Sequence, residues 1–235
     1  MKNNRKLTKK QRVVNYFLDA ALEIATEEGV GNITIRNVSE RAGYNSGTLY
    51  NYFTNRDELI AFAVIRYVAL YLSDVSECIT DIEKNPVKSY LSLWYKLCIH
   101  TFDHPQIFCY AYASTPQEMN NVQSNIAAYV EMFPDTFSEH FDSHILQAFS
   151  APTHVEHDRS IIKPFVDMGL FTDEDAEEIN YFGTTIYNGL LNKAINLKDM
   201  DSAGYTDCFM KYFVMFLRTK IDAEKFGPVA WEYPL

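Results

Sequence analysis

Apolar positions recur every three to four residues along most of the chain, a period that is typical of amphipathic helices. The first such segment is predicted to begin at Thr8, which has capping-box spacing with Gln11. It is predicted to end at Gly29, a residue suited to a left-handed C-cap. The residues on its predicted inner face are Val13, Val14, Phe17, Leu18, Ala21, Ile24 and Ala25.

Two short helices and one long helix follow in the pattern. Thr34 can cap the first short helix, and its predicted inner face consists of Ile35, Val38 and Ala42, with Gly43 at its end. The second is predicted from about Asn45 or Ser46 to Phe53, with Leu49 and Phe53 buried. Asn55 and Glu58 have capping-box spacing at the start of a long amphipathic helix.

The rest of the chain continues the helical pattern. Asn85 and Pro86 open a helix to about Phe102, and Pro105 starts another that Pro116 stops. Further helices are predicted near 117–132, 134–149, 155–168, 173–197 and 203–221. Glycine and proline lie between these segments and do not alternate with short strands. The pattern therefore predicts an all-α fold of about nine helices.

Composition and length refine this picture without changing it. The chain has 235 residues, 47% of them hydrophobic and 22% charged, which is ordinary for a globular protein. This length favours a small module followed by a larger domain, predicted as 1–55 and 56–235. The basic start lacks the apolar core of a secretory signal, and the apolar run 59–72 is shorter than a membrane span. The four cysteines have no disulfide-like spacing. We therefore expect a cytoplasmic protein.

Charge is distributed unevenly along the chain. The net charge is −10 overall, yet residues 1–12 carry six basic residues and no acidic residue. Nine basic and seven acidic residues lie in 1–60, a net charge of +2, so residues 61–235, with 12 basic and 24 acidic residues, have a net charge of −12. Such an asymmetry indicates a basic module on an acidic body, although a basic N-terminus can also be a solubilising tail.

The stretch "AGYNSGTLYNYF" at 42–53 joins two predicted short helices through a glycine-led turn. A helix, a turn of this length and a second helix are the parts of a helix-turn-helix unit. In that unit the N-terminal part of the second helix reaches base edges in the major groove. Short polar residues such as Asn45 and Thr48 permit a close approach, and tyrosine hydroxyls can bond phosphates without reading sequence.

The segment "TIRNVSERAGYNSGTLYNYFTNRDELI", with the helix before it, resembles the DNA-binding domain of the TetR family of bacterial transcriptional regulators. The resemblance covers about residues 8–62, and the body matches only in its helical style. It implies that Thr34, Arg36, Tyr50, Tyr52 and Arg56 contact phosphates or flanking bases. It also implies that the residues facing the groove are Tyr44, Asn45, Ser46, Gly47, Thr48 and Asn51.

One position departs from the family pattern. Many members have lysine where this chain has Ser46, so a phosphate or guanine contact is lost. We expect the basic arm of residues 2–12 to compensate by entering the minor groove or following the backbone. Deleting residues 2–7 should then weaken DNA binding and flatten its salt dependence.

The resemblance also implies a role for the body. Members of the family form homodimers through their last two helices, which here are 173–197 and 203–221. Their apolar content, with Gly183 and Gly189 permitting close approach, exceeds what one buried face needs, although packing within one chain is the alternative. The implied function is a repressor that a small-molecule effector releases from a pseudo-palindromic double-stranded DNA operator, with no cofactor.

Aromatic residues between 89 and 114 suggest where an effector binds, because ligand pockets are mostly apolar. The predicted lining consists of Tyr90, Trp94, Tyr95, Phe102, Phe108, Tyr110 and Tyr112. An aromatic and modestly polar effector is expected from this set.

The sequence leaves two other functions open and argues against a third. Its six histidines form the pairs His100/His104, His140/His144 and His154/His157, so a metal-sensing regulator of the same fold is one alternative. A helical adaptor that binds protein and not DNA is another. The chain has no G-x-S-x-G, H-E-x-x-H, phosphate-binding glycine loop or dinucleotide fingerprint, so we do not expect an enzyme.

Overall fold

The computed structural model describes residues 7–79, 82–113, 116–136, 154–197 and 199–222. These ranges hold ten α-helices and no strand, which confirms the all-α prediction. The helices are α1 (Lys9–Glu28), α2 (Ile35–Arg41), α3 (Ser46–Tyr50), α4 (Arg56–Ile79), α5 (Pro86–Asp103), α6 (Pro105–Phe108), α7 (Pro116–Met132), α8 (His154–Asp167), α9 (Asp173–Asn196) and α10 (Ser202–Leu217). A 3₁₀ turn at Val30–Asn32 follows α1, and a π-helical turn at Cys109–Ala113 continues α6.

The chain divides into two compact units. The first contains residues 1–69 and 106–138, and the second contains residues 70–105 and 139–235. The predicted domain boundary after residue 55 lies inside the first unit and stays a prediction. Because α7 and most of α6 belong with the N-terminal helices, the first unit is larger than a bare three-helix module.

Local sequence signals determine where α1 begins and ends. The Thr8 hydroxyl accepts the Gln11 N–H and the Gln11 side chain accepts the Thr8 N–H, which is the predicted capping box. All seven residues of the predicted inner face are buried. Gly29 ends the helix with φ of 94° and ψ of 155°. The predicted left-handed C-cap is therefore wrong. The φ of Gly29 is positive, but its ψ is extended and not helical, a combination that glycine adopts far more readily than other residues.

The start of α4 differs in one bond from the predicted capping box. The Glu58 N–H donates to the Asn55 side chain at 2.9 Å, as expected, but the Glu58 carboxylate accepts the N–H of Thr54. Its segment Arg56–Ser76 is long and apolar enough to cross a membrane, the one such helix in the described ranges. However, 72% of its most apolar stretch of 18 residues is buried inside the protein, as in the core helix of a globular protein.

Helices α5, α9 and α10 pack together through aromatic side chains in the second unit. Trp94 of α5 stacks on Phe209 of α10 at a centroid distance of 5.1 Å and lies 4.8 Å from Phe213. Gly183 of α9 faces the same cluster, because an added Cβ would come within 2.9 Å of Phe213. Gly183 therefore permits packing within this chain, which corrects its predicted role in contacting a second copy.

Most of the predicted helix positions agree with the structure to within a few residues. Asn85 caps α5, and the chain breaks at His104 before Pro105, as expected. The recognition segment ends earlier than predicted, because α3 stops at Tyr50 and a turn follows. Residues 134–136 form a turn, and the remainder of the predicted helix 134–149 lies outside the described residues.

Candidate nucleic-acid interface

Helices α2 and α3 are held in a helix-turn-helix arrangement by caps and a glycine turn. The Thr34 hydroxyl accepts the Asn37 N–H at 3.0 Å at the start of α2. Gly43 has φ of 75°, which permits the reversal between the helices. The Asn45 side chain accepts the Thr48 N–H at 2.8 Å and begins α3. Residues on the inner side are buried: Val38, Leu49 and Phe53.

The two helices are also joined by a pair of serine hydroxyls. Ser46 Oγ lies 3.0 Å from Ser39 Oγ, and Ser39 is buried with only 1% of its surface exposed. Ser39 Oγ also donates to the Arg36 carbonyl. Ser46 therefore bonds α2, although the sequence predicted that it faces the groove. Ser39 was missed because a serine inside a helix carries no signal of a tertiary partner.

The surface of the recognition segment is polar and has no charge. The exposed residues predicted to face the groove or to contact DNA are Asn45, Gly47, Tyr50 and Asn51. The half-buried members of the same set in this segment are Tyr44, Ser46, Thr48 and Tyr52. Both Tyr44 and Tyr52 pack their rings against Phe17 of α1, at 5.1 Å and 6.0 Å. The two tyrosines thus help to anchor α3 as well as border its surface.

The three arginines nearest to this surface all have partners in the protein. Arg36 Nε lies 2.8 Å from the Glu40 carboxylate in an exposed pair. Arg41 bonds Glu27 and Glu28 of α1 and so ties α2 to α1. Arg56, at the start of α4, donates to the carbonyls of the turn at residues 30–33. The sequence did not show that Arg56 holds this turn, because the partners are backbone atoms.

The residues of the predicted aromatic pocket fall in two units. Tyr90, Trp94, Tyr95 and Phe102 belong to the second, and Phe108, Tyr110 and Tyr112 to the first. Tyr90 and Trp94 line a cavity of about 20 Å³ in the second unit. The other cavity residues are Tyr71, Leu93, Leu97, Ile161, Ile162 and Asn180. Such a cavity has room for about one water molecule.

The remaining aromatic residues of that set have other surroundings. Tyr95 is half-buried, and Phe102 packs against Tyr187 and Tyr205. Phe108 packs edge-on against Tyr67, and Tyr110 lines a polar surface cleft. The side chain of Tyr112 lies outside the described residues. That all seven line one effector pocket stays a prediction. The sequence did not predict Asn180 as a cavity-lining residue. The available signal was a polar residue next to the apolar Ile179 in α9.

The histidine pairs are only partly within the described residues. His100 Nε2 lies 3.0 Å from Asp74, and Lys96 contacts the same carboxylate at 3.4 Å. Burial lowers the pKa of His104, Asp103 opposes this effect, and His100 adds to it. In the described ranges no group of three or more His, Cys, Asp or Glu residues is arranged to hold a metal ion. His140 and His144, and the side chains of His154 and His157, lie outside those ranges.

Helices α9 and α10 and the turn between them expose several large apolar side chains. Nine large hydrophobic residues are exposed in the described ranges, and five of them lie between residues 181 and 215. They are Tyr181, Leu197, Met200, Tyr212 and Met215. Gly189 is exposed, and an added Cβ there would meet no atom within 4 Å. This apolar surface is open on the single chain.

Comparisons with known proteins agree with this architecture. Residues 17–62 match the family model described as "Bacterial regulatory proteins, tetR family". No curated protein matches the chain.

Solved structures share the fold over nearly the whole chain. SmeT, the repressor of the Stenotrophomonas maltophilia multidrug efflux pump SmeDEF, is 20% identical, with 94% of this chain and 96% of that chain covered and a TM-score of 0.51. NalD, the secondary repressor of the MexAB-OprM pump in Pseudomonas aeruginosa, is 15% identical, with 90% and 98% covered and a TM-score of 0.54. A TetR-family regulator from Mesorhizobium loti is 14% identical, with 92% and 100% covered and a TM-score of 0.54.

The family model and the solved structures bear on different parts of the chain. Residues 17–62 match the family model, and 94% of the chain has the fold of the solved regulator SmeT. The chain therefore carries the N-terminal helix-turn-helix domain of the TetR family at residues 17–62, followed by an all-helical body that shares its fold with solved regulators.

Proposed function

We propose that the protein is a sequence-specific, DNA-binding transcriptional regulator of the cytoplasm. In this proposal a homodimer represses by occupying a pseudo-palindromic operator, and a small-molecule effector releases it. The observation that carries the proposal is the capped helix-turn-helix, whose second helix presents an exposed polar surface free of charged side chains. Such a surface can approach base edges closely, since no ion must lose its water.

The proposed DNA contacts divide by chemistry. Residues that border α3 supply hydroxyl and amide groups suited to base edges: Tyr44, Asn45, Thr48 and Asn51. Ser46 and Gly47 permit the backbone of α3 to come close. Tyr50 is 58% exposed, so its hydroxyl can reach a phosphate, and we propose the same for Thr34, Tyr52 and the arginines 36 and 56. Phosphate contacts of this kind orient the protein on the duplex.

The apolar surface of α9 and α10 supports a homodimer. Tyr181, Tyr212 and Met215 are 78%, 48% and 58% exposed on neighbouring helices. Apolar groups in such number on one pair of helices are typical of a protein contact. A two-fold dimer carries two recognition helices, so the operator should contain two related half-sites.

An effector is proposed to bind in the second unit, next to Trp94 and Tyr90. The cavity there is far smaller than the roughly 300–1,000 Å³ of ligand pockets, so an effector requires a conformation in which its walls move apart. Asn180 would supply a polar contact among apolar walls. A complex of SmeT, 21% identical and with a TM-score of 0.55, contains triclosan, which supports an aromatic effector. An effector that prefers the opened conformation shifts the population away from the DNA-bound one.

The DNA-binding proposal is tested by selecting duplexes from a random-sequence pool with the purified protein. We expect enrichment of a two-part, inverted repeat and a gel shift of that duplex at low salt. No enrichment and no shift of any duplex at low salt would refute the proposal. Tight binding to a protein partner in that case would favour an adaptor.

The effector proposal is tested by thermal unfolding of the protein with a library of small molecules. A ligand that binds only the native state raises the melting temperature by mass action. The same compound should release the selected duplex, and Trp94→Ala should remove both effects. A stabilising compound that acts equally on Trp94→Ala would contradict the assigned cavity.

Metal analysis of the purified protein tests the metal-sensing alternative, which requires bound metal.

A further inference from the structure

We infer that one exposed face of α1, formed by Lys9, Arg12 and Tyr16, binds DNA phosphates beside the recognition helix, with Tyr16 as a further DNA-contacting residue. The inference rests on the proposed DNA-binding function and adds a second helix to the interface. All residues in the argument belong to the first unit.

The three side chains share one face of the helix. They stand at positions i, i+3 and i+7 of α1, which places them within a narrow sector of its surface. All three are exposed, and Tyr16 has 55% of its surface accessible. Because Thr8 caps the helix just before Lys9, this face begins at the first turn of α1.

Tyr16 connects this face to the recognition segment. Its ring centroid lies 6.5 Å from that of Tyr44, which immediately precedes the cap of α3. Tyr44 is held in turn by Phe17, at 5.1 Å, and Phe17 is fully buried. Tyr16 is therefore an exposed phenol beside the N-terminal end of α3, where the interface with DNA is proposed.

Among the described residues of the first unit, the cations of α1 are the ones whose side chains bond neither a carboxylate nor a backbone carbonyl. Arg36, Arg41, Arg56 and Arg66 each bond a carboxylate or backbone carbonyls. The side chains of Lys9, Lys10 and Arg12 make no such bond to any described residue. Residues 116–136 contain no lysine or arginine. Because α3 has no cation, attraction to phosphate must come from elsewhere, and α1 offers available charge.

Acidic residues farther along the same face do not oppose this role. Asp19 is paired with Arg66 at 2.7 Å, and Glu23 lies 3.6 Å from Arg41. Their negative charge is thus balanced within the protein. Because the unpaired cations lie at one end of α1 and the paired acids at the other, the helix presents positive charge at the end where Tyr16 meets Tyr44.

Four single variants test the inference: Arg12→Gln, Lys9→Gln, Tyr16→Phe and, as the matched control, Lys10→Gln. Lys10 is exposed but is turned about 100° from Lys9 around the helix axis. The dissociation constant of the duplex selected from the random pool is measured over a range of salt concentrations. Circular dichroism and thermal unfolding verify that each variant is folded.

We expect Arg12→Gln and Lys9→Gln each to reduce the slope of log affinity against log salt by about 0.9. Tyr16→Phe should weaken binding about tenfold with the slope unchanged, because a neutral hydrogen bond to a charged phosphate is lost. Lys10→Gln should change neither quantity.

Two results would overturn the inference while leaving the proposed function intact. One is a wild-type affinity for Tyr16→Phe. The other is a slope for Lys10→Gln that falls as much as for Arg12→Gln, since that outcome reflects net charge and not a defined face. Failure of the wild-type protein to bind any duplex is a different result, and it refutes the proposed function itself.

Discussion

The side-chain oxygen of Gln106 lies 2.6 Å from the point where Gly29 would carry a Cβ atom. The same oxygen accepts the backbone N–H of Val30 at 3.0 Å. The turn that joins α1 to α2 is therefore held by α6 on one side and by Arg56 on the other. This arrangement requires glycine at residue 29 both for its backbone angles and for its lack of a side chain.

We predict that Gly29→Ala lowers the free energy of unfolding by about 1–3 kcal/mol, because its φ and ψ are accessible almost only to glycine. Gly31→Ala is the matched control, since an added Cβ there meets nothing within 4 Å and φ is not positive. Urea unfolding measures both. The cost of Gly29→Ala should be smaller in a Gln106→Ala background, where the clash is relieved. Equal free energies of unfolding for the Gly29→Ala and Gly31→Ala variants would contradict the requirement for glycine at residue 29.

The serine pair of α2 and α3 gives a second prediction. Ser46→Ala should lower the free energy of unfolding by about 0.5–1.5 kcal/mol, because the bond to Ser39 is lost. Ser46→Lys should lose the same bond and gain a phosphate contact, so that the salt slope of DNA binding steepens by about 0.9. Stability and affinity measured on both variants separate the two effects. A slope identical in Ser46→Ala and Ser46→Lys would mean that residue 46 does not approach the backbone of DNA.

The ion pair of α2 gives a third prediction, for DNA affinity. Glu40 holds Arg36, and both side chains are mostly exposed, at 62% and 81%. Glu40→Gln releases the guanidinium and removes a negative charge near the proposed phosphates. We expect affinity for the selected duplex to rise about two- to fivefold, as for a surface pair of up to 1 kcal/mol. Glu131→Gln makes the same change at an exposed position of α7 and should leave the affinity unchanged. An equal gain in affinity there would mean that net charge alone explains the effect of Glu40→Gln.

Two glycines of α9 distinguish dimerisation from packing within the chain. Gly189→Leu should leave the helical content unchanged and dissociate the dimer, because the site is open on the single chain. Gly183→Leu should lower the free energy of unfolding by about 3 kcal/mol, because Phe213 and Trp94 already occupy that space. Sedimentation reports the first effect and urea unfolding the second. A Gly189→Leu protein that remains dimeric would exclude this part of α9 from the dimer contact.

Burial of His104 predicts a dependence of stability on pH. Because burial lowers its pKa in the folded chain, the unfolded chain binds the proton more tightly. Stability is therefore complete above the unfolded pKa of about 6.5 and decreases as the pH falls below it. Thermal unfolding at pH 7.5 and 5.5 should show a smaller loss in His104→Gln than in the wild type. The same loss in both proteins would assign the pH dependence to other groups.

Sequence alone predicted what depends on neighbours in the chain. The caps of Thr8, Thr34, Asn45 and Asn85 follow from spacing, and the buried face of α1 follows from its period. What could not be predicted depends on partners far along the chain. Gly183 contacts Trp94, and Gln106 bonds Val30, across 89 and 76 residues respectively. Only the folded packing decides which surfaces such residues face.

The candidate interface shows the same division. The composition of α3 is visible in the sequence, but the bond between Ser46 and Ser39 depends on how α2 crosses α3. Arg36, Arg41 and Arg56 appear as available as Arg12 in the sequence, yet the structure engages these three with internal partners. The small volume of the cavity at Trp94 likewise follows from how tightly the aromatic rings of three helices pack.

The uncharged surface of α3 has a consequence for engineering the proposed regulator. If attraction to the duplex resides in α1 and base preference in residues 44–48, the two properties belong to separate segments of the chain. Residues 44–48 could then be exchanged to direct the protein to another operator without altering the salt dependence of its DNA affinity. Substitutions at the first turn of α1 could conversely raise or lower the affinity for every operator together. The order of the operators by affinity would then stay the same.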